Sequence, residues 1–223
     1  MLAMLVAFGA VLGVAYRQLP PAYDPTAPLD LAERPTFVTP FKMRRLEADS
    51  AFCRKSLARA SAELEAAPIA GNDEGCGAPD AYRLIRSEVP YGGDVRLACP
   101  AMAALLMWER TVARPLAEDI LGTELVRIDH YGTYACRNIN GAATGRLSFH
   151  ASANAIDIAG FRFADGRRVS VLGDWDGEGA EARYLAAVHH GACEIFTGVL
   201  GPDYNRQHAN HFHFEMGRWS FCR

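Results

Sequence analysis

Polar and apolar residues alternate strictly over His211-Phe212-His213-Phe214-Glu215, the period of a strand that buries one face. On such a strand Phe212 and Phe214 enter the core, while His211, His213 and Glu215 share the opposite side. Two β-rich runs, 155–163 and 168–172, flank Ala164-Asp165-Gly166-Arg167, and Asp-Gly between such runs predicts a hairpin. Further strand patterns cover 124–134, 82–89, the surroundings of Val95 and Leu97, and 196–200. Helical spacing runs over 41–66 through Leu46, Phe52, Leu57 and Ala60, and again over 179–192. The strongest helix is 100–121: Pro100 suits its first turn, Gly122 its stop, and Pro115 kinks or divides it. The sum is an α+β fold, a small antiparallel sheet backed by helices, in one domain over 41–223 without internal repeats.

The residues before that domain read differently. Met1 to Tyr16 carries no charged side chain. It is slightly short for a transmembrane helix and long enough for the core of a signal peptide. Residues 1–17 are therefore expected to be a signal peptide or signal anchor. The protein is then exported, to the periplasm or cell envelope, with residues 1–16 anchoring it to the inner membrane if they are retained. Residues 18–40 hold Pro20, Pro21, Pro25, Pro28, Pro35 and Pro40 and few strong hydrophobics, which reads as an extended tether and not as core.

Composition adds three constraints. A chain of 223 residues, half of them hydrophobic, suits one domain of ordinary size plus a tail. A formal net charge of -3 without a basic stripe gives no electrostatic case for nucleic acid. The six cysteines form no C-x-x-C pair, so a zinc ribbon or thioredoxin-like motif is not expected. An even, dispersed count fits three disulfides in an oxidising compartment. Many pairings are open; the sequential one, Cys53–Cys76, Cys99–Cys136 and Cys193–Cys222, is preferred over six buried thiols.

The candidate chemistry lies in two segments. Three of the seven histidines, His208, His211 and His213, fall in a His-x-x-His-x-His run. Upstream, His150 and Asp157 are separated by small residues that permit a tight loop. Two imidazoles and a carboxylate with an open fourth position are the donor set of a catalytic zinc. A non-haem iron site uses the same donors, but its usual His-x-Asp spacing is absent. Glu215 and Asp203 are candidates to accept the second N–H of a ligating histidine. His130, His189 and His190 read as surface or helix-end histidines, Trp108 as core, and the acidic loop Asp174-Trp175-Asp176 as solvated.

Ser148-x-His150 with Asp157, followed by His208-x-x-His211-x-His213, resembles the metal motifs of the zinc D-alanyl-D-alanine carboxypeptidases and LAS-type peptidoglycan endopeptidases. Residues 41–223, with their six cysteines and the phrases Tyr134-Ala135-Cys136-Arg137-Asn138, Leu200-Gly201-Pro202-Asp203-Tyr204-Asn205 and Asn210-His211-Phe212-His213, resemble more specifically the bacterial extensin-like C-terminal domain family. The resemblance implies a peptidase-like fold in which His150, Asp157 and His213 bind zinc. It further implies that His208 is a general base, that His211 assists at the metal, and that Arg137 and Ser148 hold the substrate.

The expected function is thus an exported zinc-dependent peptidase acting on peptidoglycan stem or cross-link peptides. The main alternative is a non-catalytic, zinc-stabilised envelope binding module with the same fold. A metal-dependent amidase cutting another bond shares the same motif.

Overall fold

The computed structural model describes residues 18–223. The segment expected to be a signal peptide or anchor lies outside the described residues. Among the described residues no helix is long and apolar enough to cross a membrane.

The Pro-rich stretch expected to be a free tether is instead a strap laid on the domain. Leu29 and Leu31 are 3% and 2% exposed within the main core. The Leu29 N–H donates to Ser56 Oγ at 3.0 Å, and the buried Lys42 Nζ donates to the Pro21 carbonyl at 2.6 Å. Two leucines supply the burial that a proline-rich composition obscures.

Helix α1 (Thr39–Ala48) and helix α2 (Ser50–Leu57) divide at Asp49, whose Oδ1 caps α2 by accepting the Phe52 N–H at 2.9 Å. The helical run expected to reach residue 66 therefore ends at Leu57. Strand β1 (Glu63–Ala66) follows, pairing antiparallel with β2 (Ala81–Arg86), which pairs with β3 (Arg96–Ala98). Tertiary pairing settles what a four-residue segment's own preference leaves open.

Helix α3 (Cys99–Trp108) is buried at every residue, as an all-round apolar helix must be. It continues through π-helical turns at Glu109–Ala113 and Ala117–Leu121, on either side of a short α4 (Arg114–Leu116). Pro115 lacks an N–H and its ring crowds the carbonyl a turn earlier, which the wider turns accommodate. Gly122 ends the run at φ +66°, a left-handed stop that glycine adopts without penalty.

The remaining elements are β4 (Leu125–Gly132), β5 (Ala155–Phe163), β6 (Arg168–Ser170), α5 (Val171–Asp174), α6 (Ala180–Ala192), β7 (Gly198–Leu200), β8 (Phe212–Glu215) and β9 (Phe221–Cys222). They build a six-stranded sheet of order β4-β5-β8-β7-β9, with β6 beside the second half of β5. The expected α+β class holds, with two sheets among the described residues in place of one, and β7 and β9 pair in parallel. Trp108 is core: its ring meets Phe214 at 5.2 Å, and its Nε1 donates to the Val188 carbonyl.

All six cysteines are bridged, as Cys53–Cys99, Cys76–Cys136 and Cys193–Cys222. The last pair matches the sequential expectation and the other two correct it. Packing of α2 against α3 brings Cys53 to Cys99, while the loop around Cys76 lies against the chain entering Arg137.

Candidate metal centre

Register across β5 and β8 does most of the assembly. Asp157 stands directly opposite His213, and facing residues of an antiparallel pair point to one side of the sheet. On the other side Ile156 faces Phe214 and Ile158 faces Phe212, and both phenylalanines are fully buried. The alternation of the strand thus drives the histidine out of the core and across to the carboxylate.

His150 arrives from a 3-10 turn, Phe149–Ser152, capped by the Ser148 hydroxyl, which accepts the His150 N–H at 3.3 Å. The turn exits through Ala153 at φ +53°, a left-handed conformation unusual for alanine. Tertiary hydrogen bonds hold it: the Gly77 N–H donates to the Ala151 carbonyl, and the Ala98 N–H donates to the Ala153 carbonyl. The first sheet therefore braces the loop that presents His150.

Three ligand atoms converge. His150 Nε2 lies 3.1 Å from Asp157 Oδ1 and 3.2 Å from His213 Nδ1, and His213 Nδ1 lies 2.9 Å from Asp157 Oδ1. Donors about 2.1 Å from a tetrahedral ion stand about 3.4 Å apart, so the triangle is within a few tenths of an ångström of a zinc site. Its protonation points the same way. His150 Nδ1 is 3.0 Å from the Thr133 carbonyl and His213 Nε2 is 2.8 Å from the Glu215 carboxylate. Each of those partners only accepts, so in neutral imidazoles the protons are outside and the lone pairs face Asp157. Lone pairs on three converging atoms repel unless a cation or a proton lies among them. The outer acceptors Thr133 and Glu215 are also those that orient metal-binding imidazoles.

A proton and a cation compete for these lone pairs. Burial opposes charge on His213, but its hydrogen bonds to Asp157 and Glu215 outweigh burial and raise its pKa to about 9. Burial likewise works against the Asp157 charge, yet His150 and His213 hold its carboxyl well below the usual carboxylate range.

His208 and His211 stand at the rim. Asn205 Oδ1 accepts the Gln207 N–H at 2.9 Å, and His208 Nδ1 lies 2.8 Å from the same oxygen. His208 therefore carries its proton on Nδ1 and leaves Nε2 open. Burial, with His213 and His211 nearby, lowers its pKa to about 4. His211 Nδ1 meets Asn210 Oδ1 at 2.8 Å, its Nε2 is 3.5 Å from Asp157 Oδ1, and burial lowers its pKa as well.

These groups open into one cleft of about 1010 Å³, which also takes in Arg137 and Ser148. The Ser148 N–H donates to the Arg137 carbonyl at 3.0 Å, which sets the two expected substrate contacts side by side. Every expected site residue is thus brought together. Asp203 is not a partner of the ligands: it accepts from Trp175 Nε1 at 3.0 Å. His189 sits in the last turn of α6, as a helix-end histidine, but it is buried against Trp175 and Phe212 and not at the surface. Thr133, Asn205 and Asn210 are positioning residues to which the sequence assigned no role, although Asn205 and Asn210 fall within the phrases that carry the family resemblance. Among the described residues two other clusters of metal-binding residue types, Glu74/Cys76/Cys136 and His189/Cys193/Cys222, have their sulfurs committed to disulfides.

A family model described as Extensin-like protein C-terminus matches residues 51–223. No curated protein and no solved structure matches the chain.

Proposed function

The chain belongs to the extensin-like protein C-terminal family, and from that premise we propose that it is an exported zinc-dependent peptidase hydrolysing peptide bonds in peptidoglycan stem or cross-link peptides. The observation that carries the reading is the convergence of His150 Nε2, Asp157 Oδ1 and His213 Nδ1, each imidazole held from behind by Thr133 or Glu215. The likeness of these motifs to the zinc D-alanyl-D-alanine peptidases supports the bond type. The three disulfides and the uncharged first sixteen residues support export to the periplasm or cell envelope.

Zinc at these three ligands supplies a Lewis acid for the scissile carbonyl and lowers the pKa of water. The chain's own groups do the rest. Arg137 presents planar N–H donors that fit a carbonyl or carboxylate of the substrate. Ser148 Oγ accepts the His150 N–H, which leaves its own proton free to donate to substrate. His208 is neutral at pH 7, with Nε2 open to accept a proton. A pKa of about 4 makes it a weak base. His211 stands close to both His208 and Asp157, its ring 5.2 Å from that of His208 and its Nε2 3.5 Å from Asp157 Oδ1.

The test is digestion of purified cross-linked muropeptides by the full-length, zinc-supplemented protein, with products weighed by mass spectrometry. Peptide-bond cleavage is expected, slowed about 100-fold in His208→Ala, the low end of general-base effects. Cleavage unchanged in that variant removes His208 from its role. Release of the whole stem peptide from its sugar identifies an amidase. Tight binding with no product from any fragment replaces the peptidase with a binding module.

A further inference from the structure

The cleft carries a charge opposite to that of the chain. The protein's formal net charge is -3, yet Arg137, Arg146, Arg218 and Arg223 all line this cleft. Its only acidic side chains are those of Asp157 and Glu215, and both face histidines. Some arginines elsewhere gather around a carboxylate, Arg127 and Arg162 at Asp129 and Arg110 and Arg114 at Glu88. Among the described residues none of the four cleft arginines has an ion pair. Between Arg218 and Arg223 stands Trp219, 76% exposed. So large an open aromatic flanked by unpaired cations is costly as bare surface and suited to binding.

This wall is rigid and close to the metal ligands. Arg223 is fixed through its backbone, its N–H donating to the Val199 carbonyl and its carbonyl accepting from Gly201. The Cys193–Cys222 disulfide secures the same end. At the other end Gly217 is pressed so closely on the Phe149 ring that a Cβ there would lie 2.4 Å from it. Arg218 therefore starts beside the residue preceding His150.

We propose that Arg146, Arg218 and Arg223, with Trp219, form a second substrate-binding wall that selects peptides bearing free carboxylates away from the bond at His150, Asp157 and His213. The guanidinium fork matches a carboxylate bidentately. Leu147, Phe149, Leu200 and Phe221 lie among the arginines, and they offer apolar contact that a peptide fills and a bare phosphate chain does not. The proposal deepens the peptidase reading and rests on it only for the position of the scissile bond.

The test titrates the full-length protein, kept in chelator so that no cleavage competes, with a muropeptide carrying free carboxylates and with the same muropeptide amidated. The acidic probe is expected to bind roughly tenfold tighter at low salt, as two partly exposed ion pairs allow. That preference is lost at high salt and in the Arg218→Gln/Arg223→Gln double variant. Trp219→Ala weakens both probes. The proposal is overturned by equal binding of the two probes, by a preference that survives the double substitution, by no binding, or by tighter binding of polyphosphate. Absence of cleavage by the zinc-supplemented protein, with the arginine-dependent preference intact, rejects the peptidase and leaves the wall standing.

Discussion

Replacing Glu109 by Gln is expected to stabilise the protein at pH 8 relative to pH 5 by about 2.5 kcal/mol more than any common pH effect on the two proteins. Glu109 is 2% exposed at the first π-helical turn after α3. It accepts the Ser87 hydroxyl at 2.9 Å and the Val89 N–H at 3.1 Å. Burial outweighs those bonds and raises its pKa from 4.5 to about 7. A carboxyl whose folded pKa is raised contributes stability that is fully present below the unfolded value, 4.5, and lost as pH rises through the folded one. At about 1.36 kcal/mol per pH unit the full loss is about 3.4 kcal/mol. Roughly 1 kcal/mol of it has already gone at pH 5, because the unfolded chain ionises first. Gln keeps the shape and is neutral throughout. Histidines such as the half-buried His130 and the buried His189 titrate in both proteins and cancel in the difference. Urea unfolding of wild type and variant at pH 5, 6, 7 and 8 measures it. A difference that changes by less than about 0.5 kcal/mol across that range refutes the reasoning. The segment Glu109 secures also matters to the site: Pro90 accepts the Ile128 N–H, tying it to β4 and so to the strand that carries Asp157.

Two further outcomes follow from the geometry. Glu215→Ala removes the acceptor behind His213 and should lower zinc affinity about 10- to 100-fold in chelator competition; unchanged affinity would show that Glu215 does not orient the ligand. Replacing Cys76 and Cys136 together by Ala reopens a loop with a sequence separation of 60 and should cost about 4 kcal/mol in urea unfolding. Cleavage should fall with it, because Arg137 follows the bridge directly, and a loss under about 1 kcal/mol would contradict this loop-closure account.

How far the site was legible follows from where its information lies. The ligands could be read because imidazoles and a carboxylate are chemically distinctive and because Phe212 and Phe214 fix the phase of the strand. Their juxtaposition could not: that Asp157 faces His213 is a long-range register, decided by two strands packing on α3. Of the helper groups Glu215 was legible, because it shares the strand face of His213, whereas Thr133 and Asn205 were not. Thr133 acts through a backbone carbonyl, which any residue provides, and Asn205 acts through a local turn. Cysteine pairing failed where proximity along the chain differs from proximity in space, as for Cys53 and Cys99. The strap failed because proline content averaged away Leu29 and Leu31. The arginine wall gathers residues from 146 to 223 that form no run in the sequence, so net charge concealed it.

The most direct test of the metal centre is elemental analysis of the full-length oxidised protein beside its His150→Ala and His213→Ala variants, after zinc has been offered and excess removed. About one zinc per chain in the wild type, lost in both variants, is the predicted result. A wild-type protein that retains no metal would contradict the centre and the peptidase built on it.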